Sequence, residues 1–368
     1  MKIIEFFGEP LSYGGQESFI LNMYGHFVDD NDYIFCTPFH ADNAELKKMI
    51  EKKGDEICSF GYHFDSKLRK LYIYKTAKRI INEKYDVVHV HSGSILTLLM
   101  VAMISRKKKI KEVIVHSHAT GYNTFSHKIV KRLSDILIEN YATKFIACSK
   151  EAGKFKFPEN VVKNNLIIVK NGIDLKKFIY NKNIREKKRK EFEIEDKKVL
   201  CNVGRFSKEK NHIFIINVFV EYLKLEKNAF LLLIGGNGEE EIKIRHEIAE
   251  KGIDDKVLIL KNRTDINEIL SAVDVFIFPS QFEGLGISAI EAQASGLPTI
   301  CACHLPDELN ASSNYIEMDL QDTPQNWAYT IYENQNNERK NCYSELKKAG
   351  YEISDSARYL EKIYEGYE

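Results

Sequence analysis

Val273-Asp274-Val275-Phe276-Ile277-Phe278-Pro279 runs into Ser280-Gln281-Phe282-Glu283-Gly284-Leu285-Gly286 and on into Ile287-Ser288-Ala289-Ile290-Glu291-Ala292. The first stretch is apolar, rich in β-branched and aromatic residues and stopped by proline, the composition of a strand buried on both faces of a parallel sheet. A helix begins near Ile287. The loop between them therefore opens at the carboxyl end of a strand, where parallel α/β sheets hold their ligands. Glu283 and Glu291 lie eight positions apart, just over two turns at about 3.6 residues per turn, so they can meet different parts of one extended ligand. Free backbone N–H groups at the helix start favour a phosphate there. The plainer alternative is that Glu283 caps the helix and Glu291 is a solvated helix residue.

The same strand–helix alternation extends outward through the chain. Strands are expected at Ile3–Phe7, Tyr33–Thr37, Ile57–Phe60, Val87–His91, Val113–His118, Lys144–Cys148 and Leu166–Val169, then at Val199–Gly204, Phe230–Gly235, Val257–Lys261, Val275–Pro279 and Pro298–Ala302. Amphipathic helices fall between them, among them Gln16–Phe27, Leu68–Glu83, His212–Leu225, Glu240–Glu250 and Ile287–Ser295. Such alternation means parallel sheets covered by helices, and 368 residues exceed one ordinary core, so the expected fold class is α/β with two Rossmann-like domains. The domains are expected at residues 1–180 and 181–350, with the charged run Asp174–Asp196 as linker and 351–368 as a C-terminal helix. Its apolar positions Ala357, Leu360, Ile363 and Tyr364 have the spacing of a docking face.

Composition narrows the setting. A hydrophobic content of 44% is ample for two packed cores. Seven scattered cysteines, without a C-x-x-C pair, read as reduced thiols of a cytoplasmic protein. Met1–Gly8 reads as a first strand rather than a signal peptide, and Ile95–Ile104 is about half a membrane span. Net charge is zero, yet residues 1–174 carry 26 Lys+Arg against 20 Asp+Glu, concentrated in Arg106-Lys107-Lys108-Lys109-Ile110-Lys111 and along Lys67–Arg79. A solvated face accounts for such runs, and the competing partner is an anionic membrane leaflet rather than nucleic acid, whose aromatic-interleaved basic motifs are missing.

Other stretches carry candidate chemistry. Gly14-Gly15 sits between the first strand and the first helix, where bare backbone can approach a phosphate or sugar; a tight turn would serve equally. Gly204-Arg205-Phe206-Ser207-Lys208-Glu209-Lys210 leaves a strand carrying two cations, Arg205 and Lys210, suited to a diphosphate leaving group whose charge grows as its bond breaks. His116-Ser117-His118 ends a strand; His116 reads as core and His118 as cleft-facing. His89-x-His91 shares the ambiguity, and with no carboxylate nearby in sequence metal ligation is the lesser reading.

Together with Asp86-Val87-Val88-His89-Val90-His91, Ala147-Cys148-Ser149, Asn171-Gly172-Ile173-Asp174 and Gly296-Leu297-Pro298, these stretches resemble the retaining glycosyltransferases of family 4, in the branch that builds bacterial capsule and exopolysaccharide. The resemblance implies the GT-B fold, two Rossmann-like domains facing across a cleft with the C-terminal helix returning to the first. It implies that Arg205 and Lys210 bind the donor diphosphate, that Glu283 contacts the transferred sugar and that Glu291 contacts the ribose. Backbone at Gly286, Ile287, Ser288 and Gly15 would line the sugar and phosphates, and Asn262 and Arg263 would follow the strand whose loop meets the base. His118 would bond the donor sugar near the reacting carbon, with His116 as the alternative register. The implied partners are a nucleotide-sugar donor, taken as a UDP-sugar, and a glycan or lipid-linked acceptor, at the inner face of the plasma membrane as a peripheral protein. No metal or other cofactor is implied. A nucleotide-sugar epimerase and a non-catalytic sugar-nucleotide-binding scaffold are the competing functions on the same architecture.

Overall fold

The computed structural model describes residues 1–12, 15–28, 30–118, 125–236 and 238–366, without the side chains of 15–18, 21 and 125–127. Its described residues form two compact units, Met1–Gly172 with Ile353–Glu368, and Ile173–Glu352. The division falls at Gly172 rather than 180 because Ile173 already belongs to the second unit, its N–H bonded to the Tyr351 carbonyl and its backbone bridged to Glu352.

The first unit holds seven strands: β1 (Lys2–Phe7), β2 (Asp32–Thr37), β3 (Glu56–Ser59), β4 (Val87–His91), β5 (Glu112–Ser117), β6 (Lys144–Ala147) and β7 (Leu166–Ile168). They pair in parallel in the order β3-β2-β1-β4-β5-β6-β7. Alternate residues of β1 feed two cores, as the two-residue period of a strand requires. Ile4 and Phe6 join Val88, Val90, Val113 and Val115 on one face. Ile3 and Phe7 join Phe19, Val87, Ile114 and Ile146 on the other. Helices α1 (Gly15–Tyr24), α2 (Arg69–Ile80) and α3 (Ile95–Lys107) belong to this unit. The C-terminal helix (Ile353–Tyr364) docks on it through Ala357, Leu360, Ile363 and Tyr364, which share the core of Ile3 and Phe7.

Six strands make the second sheet: β8 (Lys198–Val203), β9 (Ala229–Gly235), β10 (Val257–Lys261), β11 (Val275–Phe278), β12 (Thr299–Ala302) and β13 (Tyr315–Met318). Their order is β10-β9-β8-β11-β12-β13, all parallel. β13 had no expectation in the sequence, being a four-residue edge strand that keeps a glutamate and is only half buried. The strand order reverses between β8 and β11, the switch point at which open α/β sheets bind ligands.

The linker expected over Asp174–Asp196 is instead a folded part of the second unit. Asp174 caps a short turn at Leu175–Phe178, and Asn181 caps helix α4 (Lys182–Glu191) by accepting from the Ile184 N–H. Its charges are paired inward. Arg185 and Arg189 each donate to the Asp274 carboxylate at 2.6 Å, and the Val199 N–H adds a third bond at 2.8 Å. Lys188 reaches Asp265 at 2.5 Å and Glu268 at 3.2 Å. Part of the basic runs of the first unit is engaged: Arg106 closes the end of α3 on the carbonyls of Ile110 and Lys111, while Arg69, Lys78 and Arg79 lie over Phe64, Tyr74 and Phe60; Lys107, Lys108 and Lys109 are exposed. No helix among the described residues is long and apolar enough to cross a membrane.

Candidate active site

At the switch point of the second sheet, β8 ends in the loop 204–211 and β11 ends in the loop 279–286, followed by helices α5 (His212–Leu225) and α6 (Ile287–Ala294). The two loops are joined by one backbone–backbone and one side-chain–backbone hydrogen bond. Gln281 N–H donates to the Glu209 carbonyl at 2.7 Å, and the Asn211 side chain, on a residue with φ of 59°, donates to the Pro279 carbonyl at 3.1 Å. That register carries Lys210 to Glu283: the ammonium donates to Oε1 at 2.6 Å and lies 5.2 Å from the centre of the Phe278 ring. Both side chains are nearly buried, at 14% and 11% exposure, so the pair is held in one geometry rather than averaged by water. Gly204 makes room for the lysine stem, since a Cβ there would stand 3.2 Å from Lys210 Cδ.

Arg205, by contrast, is exposed, with Glu209 3.5 Å from its guanidinium. Gly238 fixes its loop from behind, because a Cβ at that position would lie 2.1 Å from the Phe206 carbonyl. That clamp was not anticipated; its signal in the sequence was the glycine-rich run that follows β9, of which Asn237 lies outside the described residues.

Gly286 caps α6 with φ of 91°, and a Cβ there would press on Phe278 at 2.9 Å. Glycine alone fits without strain, and it leaves the first turn of α6 with no side-chain cap over its N–H groups. Ile287 and Ser288 open the helix; the Ser288 hydroxyl donates to the Val203 carbonyl at 2.9 Å, tying α6 to the end of β8. Glu291 follows one helical stretch later, its carboxyl pushed up to about 7 by burial against the weaker opposing pull of Lys177. Asn262 takes up φ of 52° after β10 and donates its N–H to the Gly235 carbonyl, at the end of the neighbouring strand. The Arg263 guanidinium is engaged by Asp265 at 2.7 and 2.5 Å and by Glu191 at 3.2 Å, which turns it toward α4. Gly15 is the first residue of α1, and Gly14 lies outside the described residues.

His118 follows β5 in the first unit and belongs to a buried cluster. Parallel pairing sets Glu5 beside His89 and His91 beside His116 across β1, β4 and β5. Glu5 thus supplies the carboxylate that no neighbour in sequence offered. It accepts from His91 Nε2 at 2.6 Å and from Tyr364 of the C-terminal helix at 2.6 Å; His91 Nδ1 meets His118 Nε2 at 2.7 Å; His89 Nε2 meets His116 Nδ1 at 3.1 Å. Burial pushes the Glu5 carboxyl up, but His89 and His91 outweigh it and hold the group well below the usual carboxylate range. Burial, reinforced by His89, brings His91 down to about 4, and His116 and His118 fall well below their ordinary value for the same reasons, their histidine neighbours adding to burial. The ligand atoms of His89, His91 and His116 lie within 4.8 Å of one another, close enough for a metal ion, although hydrogen bonds already use both ring nitrogens of His89 and His91.

Two family models divide the chain between them: residues 13–177 match Glycosyltransferase Family 4 and residues 183–306 match Glycosyl transferases group 1. The chain belongs to the family 4 glycosyltransferases. Among its relatives, EpsF of Bacillus subtilis is 26% identical over 86% of this chain and 84% of its own. UDP-Gal:alpha-D-GlcNAc-diphosphoundecaprenol alpha-1,3-galactosyltransferase of Escherichia coli is 26% identical over 74% of this chain and 67% of its own. Anabaena Alr3699/HepE, solved in complex with UDP, has the same GT-B fold, with a TM-score of 0.80 at 16% identity and full coverage of both chains.

The raised Glu291 carboxyl has a stability consequence for this glycosyltransferase. The folded state favours the neutral form, so burial costs nothing below the ordinary value of 4.5 and its full amount above about 7; stability falls as pH rises between them. Glu291→Gln should therefore stabilise the protein at pH 8 by on the order of 2–3 kcal/mol and change it little at pH 4.5. Urea midpoints of both proteins at the two pH values check this, and a pH-independent difference contradicts it.

Proposed function

We propose that this glycosyltransferase moves a sugar from a UDP-sugar to a glycan or lipid-linked acceptor with retention of the anomeric configuration and without a metal. The observation that carries the reading is the Lys210–Glu283 pair, fixed at 2.6 Å beside the uncapped start of α6. Lys210 and the exposed Arg205 supply the positive charge that a leaving diphosphate requires, which is the work a metal would otherwise do. Glu283 accepts from hydroxyls of the transferred sugar, the N–H groups after Gly286 meet phosphate oxygens, and Glu291 takes the ribose hydroxyls. His118 bonds the donor sugar near its reacting carbon. In the step itself the bond from the anomeric carbon to the diphosphate oxygen breaks, the acceptor oxygen bonds to that carbon on the same face, and the acceptor proton passes to the departing phosphate. The Escherichia coli relative, named for UDP-galactose and a diphosphoundecaprenol-linked acceptor, supports both the donor and the acceptor class.

Incubation with UDP-sugars and a lipid-linked acceptor in excess EDTA should give a glycoside whose anomeric coupling matches that of the donor. An inverted product, dependence on added metal, or epimerised donor without acceptor would each overturn the corresponding part of the reading. The basic surplus of residues 1–174 extends the proposal to an anionic inner-membrane surface. Flotation with anionic liposomes at low salt should carry the protein upward, and its absence from the floating fraction removes that extension.

A further inference from the structure

The cluster behind His118 contains more than packing requires. We propose that Glu5 and His91 are positioning residues that, through two hydrogen bonds, hold His118 as the tautomer protonated on Nε2, so that its Nδ1 meets the donor sugar as a hydrogen-bond acceptor. The inference rests on the assignment of His118 to the donor sugar made above.

The direction of each bond follows from one fixed end. An ionised carboxylate can only accept, so the 2.6 Å contact to Glu5 Oε2 places a proton on His91 Nε2. A neutral His91 then has a bare Nδ1, and that nitrogen, 2.7 Å from His118 Nε2, must accept from it. Neutral His118 is left with its lone pair on Nδ1, which is buried and has no hydrogen-bond partner among the described residues. Glu5 can serve as the fixed end because its other oxygen is also committed: Oε1 takes the Tyr364 hydroxyl at 2.6 Å, and Tyr364 in turn receives His89 Nδ1 at 2.8 Å. Rotation of the rings is blocked by stacking, with Phe7 4.8 Å from His91 and His116 3.8 Å from His118. An orienting carboxylate that fixes which nitrogen of a histidine faces the substrate is a recurrent catalytic device; here it acts through one intervening imidazole.

The test is the nitrogen NMR spectrum of the full chain labelled with ¹⁵N-histidine at neutral pH, with the His118 signals identified by their loss in His118→Gln. A protonated Nε2 and bare Nδ1 for His118 is the expected result. A protonated Nδ1, or two tautomers in comparable amounts, overturns the proposal. Glu5→Gln supplies the second arm, because an amide can donate as well as accept and no longer sets the direction. The His118 tautomers should then mix, and kcat should fall on the order of a hundred-fold. A Glu5→Gln protein that is merely less stable, with the His118 tautomer and kcat unchanged, contradicts a positioning role. If that variant does not fold, the wild-type spectrum still decides the tautomer. A fully active His118→Ala variant would strike at the sugar contact itself, whereas an inactive one combined with a protonated Nδ1 would leave that contact standing and remove only the relay.

Discussion

Replacing Lys210 by alanine should lower kcat by roughly 10²- to 10³-fold at saturating donor, the cost of removing one preorganised donor from a site of developing charge. The lysine is the better anchored of the two cations: its stem runs along Gly204, its ammonium faces Phe278, and Glu283 holds it at 2.6 Å. Arg205 is exposed and loosely paired, so Arg205→Ala should cost less. Single-turnover transfer measures the effect without product release, and wild-type turnover in Lys210→Ala would contradict the role. Because the variant also leaves Glu283 without its ion partner, the thermal midpoint should be recorded beside the rate, and a loss of activity in a fully folded protein is the informative result.

Asp274→Ala should be the most destabilising single change in the second unit, by about 3–5 kcal/mol, since it leaves the buried Arg189 guanidinium and the partly buried Arg185 guanidinium without their shared anion. Arg185 and Arg189 both donate to this carboxylate, which is 11% exposed and also receives the Val199 N–H at the start of β8. The exposed pair Lys154–Glu151, with about half of each side chain in water, provides the contrast: Glu151→Ala should change stability by less than about 0.5 kcal/mol. Urea unfolding of the three proteins compares them directly, and equal midpoints would mean that the α4 cluster contributes nothing beyond a surface ion pair.

The difference between these two aspartate and glutamate sites also explains what could be read from sequence. Val275–Phe278 announced a buried parallel strand because its burial is uniform and local, and Ile287–Ala294 announced a helix for the same reason. The helical docking face of the tail was legible too, since Ala357, Leu360, Ile363 and Tyr364 repeat at helical spacing. The charged stretch Asp174–Asp196 reads as a linker because charge counts carry no information on partners such as Asp274 and Asp265, which lie some eighty residues from Arg185 and Lys188. Glu5 escaped notice for a related reason. It sits within the apolar strand Ile3-Ile4-Glu5-Phe6-Phe7, and only the pairing of β1 with β4 brings it to the histidines. A lone carboxylate inside an otherwise apolar strand was the available signal. The Lys210–Glu283 contact depends on two loops some seventy residues apart being joined by a Gln281–Glu209 backbone bond and an Asn211 side-chain bond to the Pro279 carbonyl, a pairing that local sequence does not reveal.

In the proposed reaction the carboxyl ends of β8 and β11 hold a nucleoside diphosphate sugar, with Glu291 on the nucleotide. A thermal-shift panel of UDP-, GDP- and ADP-sugars on the full chain tests it most directly, because a ligand that binds only the folded state raises the midpoint in step with its affinity. A UDP-sugar should raise the wild-type midpoint, and the shift should disappear in Glu291→Ala. No shift with any nucleotide sugar, or an undiminished shift in Glu291→Ala, would contradict it.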